Sequence, residues 1–199
     1  MTALLPSAAV RAATELAGRT VTTVGPEQFP RATPCRDWDV RGVLDHLAWA
    51  AVLAQRSATR LPLEHDWSAG APAPFLARAP EDRWGALIAE ELDVAADAWA
   101  DVAAWQGETV LGTTPMPAQV VGPMMLADIA LHGWDVARAV GAGYPVPDAL
   151  GEAVLAAVQP IAPMGRDGGW YGPEVPVPAG ASAFDRALGL TGRDPGWTA

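Results

Sequence analysis

Four apolar stretches of helical period, separated by proline- and glycine-rich breaks, constrain this chain to a bundle of helices. The first runs from about Leu5 to Val24 and closes at Gly25-Pro26. The second opens at Asp39, whose short carboxylate suits a helix N-cap, and carries Val40, Val43, Leu44, Leu47, Ala51 and Val52 at helical spacing. The third spans about Glu81 to Trp105, with acids on its outer side. The fourth is expected to begin at Pro123, a residue favoured in the first turn, and to stop at Gly141. Residues 60–80 are rich in proline and alanine and read as a loop, and GETVLGTTPMPAQ reads as a short strand or hairpin.

After Gly141 the character changes. A shorter helix, about Asp148 to Pro160, leads into the extended segment GRDGGWYGPEVPVPAGAS, then a short helix in FDRALGL and the tail TGRDPGW. No internal repeat is visible. The expected architecture is all-α: a four-helix up-down bundle over residues 1–145, with residues 146–199 as a short helical and extended C-terminal extension packed on it. The segment from Trp170 is too short to build a core of its own and is expected to pack on the bundle.

Composition excludes several classes of function. At 199 residues, half of them apolar, the chain can bury the core of one domain. A net charge of -10 argues against nucleic acid or an anionic membrane surface as partner. All 13 basic residues are arginine, so no lysine is present for Schiff-base chemistry. The single cysteine, Cys35, excludes an intrachain disulfide and fits a reducing compartment. The N-terminal residues lack a basic n-region, and Pro6, Arg11 and Glu15 interrupt their apolar run, unlike a signal peptide. The longest apolar run, Leu47 to Ala54, is too short to span a bilayer. The expected setting is the cytoplasm.

On a helical wheel, Asp128, His132 and Asp135 fall in the middle of the fourth stretch's apolar arc. An unpartnered carboxylate or imidazole on such a face costs several kcal/mol, so something must compensate. Asp128 and His132, four apart, project from one side of the helix, and His46 flanks the apolar face of the second. Two histidines and a carboxylate with open positions are what a catalytic divalent metal needs. A buried His–Asp ion pair is the plainer alternative. Asp135 reads as a residue orienting a ligand, as a proton acceptor, or as the partner of Arg138. His65, beside two acids in a loop, reads as a surface residue. Cys35 lies shortly before the second helix, where the helix dipole would lower its pKa; it reads as a small packing residue, with a catalytic thiol as the alternative.

TPCRDWDVRGVLDHL resembles the signature that opens the second helix in mycothiol-dependent maleylpyruvate isomerase N-terminal domains, members of the DinB-like superfamily of four-helix metalloenzymes. ADIALHGWDVARAVG is similar to that family's fourth-helix motif. FDRALGLTGRDPGW, preceded by GPEVPVP, resembles the C-terminal GRDPxW signature of an uncharacterised metal-binding subfamily. The resemblance implies a DinB-like bundle binding a metal through His46, Asp128 and His132. That metal is zinc, with nickel as the alternative, and Asp128 stands where the characterised isomerase has glutamate. It also implies mycothiol as a cosubstrate, in a thiol-dependent transferase or isomerase acting on a small electrophilic substrate. Two other readings stay open: a lyase, cyclase or hydrolase of secondary metabolism using metal-bound water, and a non-catalytic metal- or ligand-binding module. A small-molecule substrate is the expected partner, and a homodimer is compatible with all three.

Overall fold

The computed structural model describes residues 4–63 and 75–199; His65 lies outside them. Helix α1, Pro6–Val21, has proline in its first turn and buries Val10, Leu16 and Val21. Helix α2, Val40–Thr59, is capped as its sequence suggests, with the Asp39 carboxylate accepting from the Gly42 N–H at 2.9 Å. It ends at Arg60 in the left-handed region, φ 59°, whose guanidinium donates to the carbonyls of Ala103, Gln106 and Glu108.

The third apolar stretch is not one continuous helix. Helix α3, Trp84–Ala100, is flanked by 3-10 turns at Glu81–Arg83 and Val102–Trp105. The break falls at Asp101, whose backbone is extended and whose carboxylate caps the Ala103 N–H at 2.9 Å. An aspartate that can cap a new turn competes with helix continuation, and here it wins. Strands β1, Glu108–Leu111, and β2, Thr114–Pro117, form an antiparallel hairpin with Leu111 opposite Thr114.

Helix α4, Ala118–Val140, starts five residues earlier than Pro123, which lies inside it. Proline there removes one backbone hydrogen bond, to the carbonyl four residues back. That carbonyl belongs to Gln119, an exposed residue within reach of water, so the helix tolerates the loss. Gly141, φ 74°, closes α4 in the left-handed conformation that favours glycine.

The four long helices make one bundle. α1 packs on α3 and α4, and α2 packs on the same two, so α1 and α2 lie across a diagonal. The connections between them, residues 22–39 and 60–83, are long enough to allow this order. The core includes Leu44, Leu47, Ile88, Leu92, Trp99, Ile129 and Leu131, all at most 1% exposed. The α2–α4 contact is the one that matters for the site, because it faces His46 towards the ionisable side of α4.

Beyond the bundle come α5, Asp148–Val158, α6, Ala162–Asp167, and α7, Ala183–Leu190. α5 packs on α4 and on α7. The first residues of the expected extended segment belong to α6 instead, where the Gly165 N–H bonds the Ile161 carbonyl at 2.8 Å. Tyr171 packs directly over Gly165, whose missing side chain makes room for the ring. No described helix is long and apolar enough to cross a membrane.

Candidate metal centre

His46 from α2 and Asp128 and His132 from α4 converge on one point. The His46 Nε2 lies 3.2 Å from Asp128 Oδ2, and the His132 Nε2 lies 3.4 Å from Asp128 Oδ1. The two rings stand edge to face, 4.6 Å between centroids. One donor atom from each residue lies within 4.8 Å of the others. Ligands placed at about 2.1 Å around a tetrahedral ion stand roughly 3.4 Å apart, so this spacing suits a first-row divalent metal. Both histidines are nearly buried, whereas the Asp128 side chain keeps 26% of its surface, leaving the site one open side.

The protons argue the same way. Nδ1 of His132 lies 3.0 Å from Asp135 Oδ2, where a proton on that nitrogen would be donated to the carboxylate, and 3.5 Å from Arg193 Nη2. With that tautomer, Nε2 of neutral His132 presents a lone pair to the Asp128 carboxylate, acceptor facing acceptor. Only a proton or a metal ion between them makes the contact favourable. Burial opposes charge on Asp128, but His46 and the hydrogen bonds from both histidines outweigh it and hold its carboxyl well below the ordinary range. Burial likewise lowers His132, yet its bonds to Asp128 and Asp135 carry its pKa upward. The donor set therefore fits a divalent cation.

Asp135 is fully buried and paired with Arg193, not with Arg138. Arg193 Nη2 donates to Oδ2 at 2.7 Å and Nε to Oδ1 at 2.9 Å, and the guanidinium outweighs burial to lower the Asp135 pKa. Arg138 instead donates to the Trp197 carbonyl, which fastens the C-terminal tail to α4. The wheel put Asp135 on the buried face, and of the roles left open for it the pairing with Arg138 is not found; its arginine lies 58 residues on. The signal available was charge: a carboxylate in the middle of a buried face, and an arginine inside the GRDPxW segment.

Three further residues were not singled out as site residues. The Trp38 ring lies over His46 at 4.6 Å and His132 at 5.6 Å, and Trp49 flanks His46 at 5.5 Å. Asp45, next to His46, accepts from the N–H groups of Phe75 and Leu76 at 2.8 and 2.7 Å, tying that backbone to α2 beside the site. His46 has no carboxylate brace of its own, and its buried Nδ1 has no hydrogen-bond partner among the described residues.

Cys35 lies with its sulfur near His132 and Asp135. Its thiol is pushed up to about 12 by burial and by the negative charge of Asp135, opposite to the expected lowering by the helix dipole. The N-terminal N–H groups of α2 are engaged by the Arg31 and Phe29 carbonyls and the Asp39 carboxylate, and Cys35 sits one turn earlier, where its carbonyl accepts from Trp38 N. It is a packing residue against the site, held as a neutral thiol.

A helical bundle whose facing helices converge two histidines and a carboxylate defines a class of candidate metal-binding proteins. The profile of the mycothiol maleylpyruvate isomerase N-terminal domain matches residues 10–137, and the chain belongs to that family. Two solved structures are similar: the mycothiol-dependent maleylpyruvate isomerase, with a TM-score of 0.56, and a mutant of that enzyme, at 0.57. Each is 18% identical, over 83% of this chain and 75% of the other, a likeness that shows the DinB-like fold. No curated protein matches the sequence.

Proposed function

We propose that this protein is a metal-dependent enzyme that binds one divalent ion through His46, Asp128 and His132 and uses mycothiol as cosubstrate. The observation that carries the reading is the convergence of three donor atoms at metal-ligand spacing, one of them braced by a second carboxylate. Zinc is the proposed ion, with nickel as the alternative. The bound ion supplies Lewis acidity, lowering the pKa of a thiol or water brought to it. Mycothiol enters from the family and from the solved enzyme that shares the fold.

The side chains supply orientation and shape. Asp135 holds the proton on Nδ1 of His132 and so keeps the Nε2 lone pair towards the site. Trp38 and Trp49 pack against the His46 ring and exclude water from that side. The exposed edge of Asp128 marks where a small molecule approaches. The reaction class is attack of a thiol on a small electrophilic carbon compound, as a transferase or isomerase. Residues 1–145 form the metal-binding unit in this reading and residues 146–199 its covering extension, in a cytoplasmic protein whose one cysteine stays reduced.

Cobalt-substituted protein titrated with mycothiol tests the proposal. The expected result is a sulfur-to-metal charge-transfer band that is absent in His46→Ala, together with turnover of electrophiles only when thiol is present. An unchanged spectrum without turnover contradicts the thiol half of the reading. Binding of cobalt without thiol chemistry would move the assignment to hydrolysis or a related water-dependent reaction.

A further inference from the structure

Arg193 is the one arginine that is buried among the described residues, and it lies beyond the segment the family profile matches. Its backbone position is fixed by the end of α7. Gly192 adopts φ 81°, its N–H bonds the Gly189 carbonyl at 3.1 Å, and the Arg193 N–H bonds the Leu188 carbonyl at 2.9 Å. Those two bonds are a Schellman closure, which turns the chain sharply and aims residue 193 back at α4. Gly192 also rests on the backbone of Gly172, where a Cβ would come within 2.6 Å of Cα. Past Arg193, Trp197 is held by Arg138. The tail is thus fastened on both sides of the guanidinium.

We propose that Arg193 is a positioning residue of the metal centre, making the C-terminal tail a working part of a site whose ligands all lie in the bundle. The proposal rests on the metal reading above. Arg193 Nε lies 2.9 and 3.1 Å from the two Asp135 oxygens, and Nη2 lies 2.7 Å from Oδ2, the atom 3.0 Å from Nδ1 of His132; Nη2 also stands 3.5 Å from that nitrogen. A carboxylate gripped by a planar fork cannot rotate away from the imidazole. Its orientation sets the His132 tautomer, and the tautomer presents the Nε2 lone pair to the metal. His46 has no comparable brace among the described residues, so the centre's orientation depends on this side. Partners behind a ligating histidine typically change metal affinity by about 10- to 100-fold when removed.

Zinc affinity measured by chelator competition on the full chain, with nitrogen NMR of the His132 ring, tests this. Arg193→Met should bind zinc at least roughly tenfold more weakly and lose the single Nδ1-protonated tautomer. Arg193→Lys, a charge without the fork, should fall between. Gly192→Ala, which leaves every charge in place but moves residue 193, should weaken binding in the same direction.

Where Arg193→Met does not fold because Asp135 is left unpaired, the Asp135→Asn/Arg193→Met double variant decides. It should match Asp135→Asn alone, since the arginine acts through that carboxylate. Wild-type affinity and an unchanged tautomer in Arg193→Met would overturn the proposal, as would a double variant clearly weaker than Asp135→Asn. A wild type that binds no zinc would instead remove the metal reading on which it rests.

Discussion

In the proposed centre, protons and a metal ion would compete for the same nitrogen of His132. Burial disfavours the charged ring, but Asp128 and Asp135 more than offset this and raise its pKa above the ordinary value. A group with a raised pKa keeps its proton longer as pH rises, so the Nε2 lone pair becomes available only above the usual histidine range of about 6.5. Zinc affinity should therefore climb through neutral pH and level off above it, with protons released on binding. Affinity measured by chelator competition at several pH values checks this. In Asp135→Asn one source of the raised pKa is gone, and the rise should move to lower pH while the plateau weakens. At this scale the sequence revealed His46, Asp128, His132 and Asp135 because ionisable groups on an apolar helical face are visible in one dimension. It hid Arg193 and Trp38, because their roles come from contacts between segments that no periodicity relates.

Helix ends and crossings depend on single residues. The existence of α1 to α4 was legible from period and caps: Asp39 caps α2 and Gly141 closes α4 where the sequence places them. The breaks in the third stretch and the early start of α4 were not, because Asp101 and Pro123 each permit two local structures and tertiary context chooses. The order of packing was not legible either, since apolar faces record burial and not neighbours. The α1–α3 crossing rests on Gly85, where an added Cβ would stand 2.5 Å from the Val21 carbonyl oxygen. Gly85→Ala should lower unfolding free energy by about 1–3 kcal/mol, as overpacking usually does. Gly143→Ala, where nothing stands within 4 Å, should be close to neutral. Denaturant unfolding of the two variants side by side checks the prediction, and equal stabilities would contradict the packing described for α3.

In the proposed metal centre, ligand supply and ligand orientation come from different parts of the molecule. α2 and α4 supply His46, Asp128 and His132, and the segment after α7 returns 58 residues along the chain to pair with Asp135. The bundle was legible because its helices are long and strongly periodic. The return of the tail was not, because glycine- and proline-rich sequence specifies turns without specifying where they lead. The central claim is that this architecture exists to hold one divalent ion. Its most direct test is zinc titration of metal-stripped protein against a chromophoric chelator, beside His132→Ala. The account predicts one ion bound per chain in the wild type and none above background in the variant. A wild type that leaves all the zinc with the chelator, or a variant that binds as the wild type does, would contradict it.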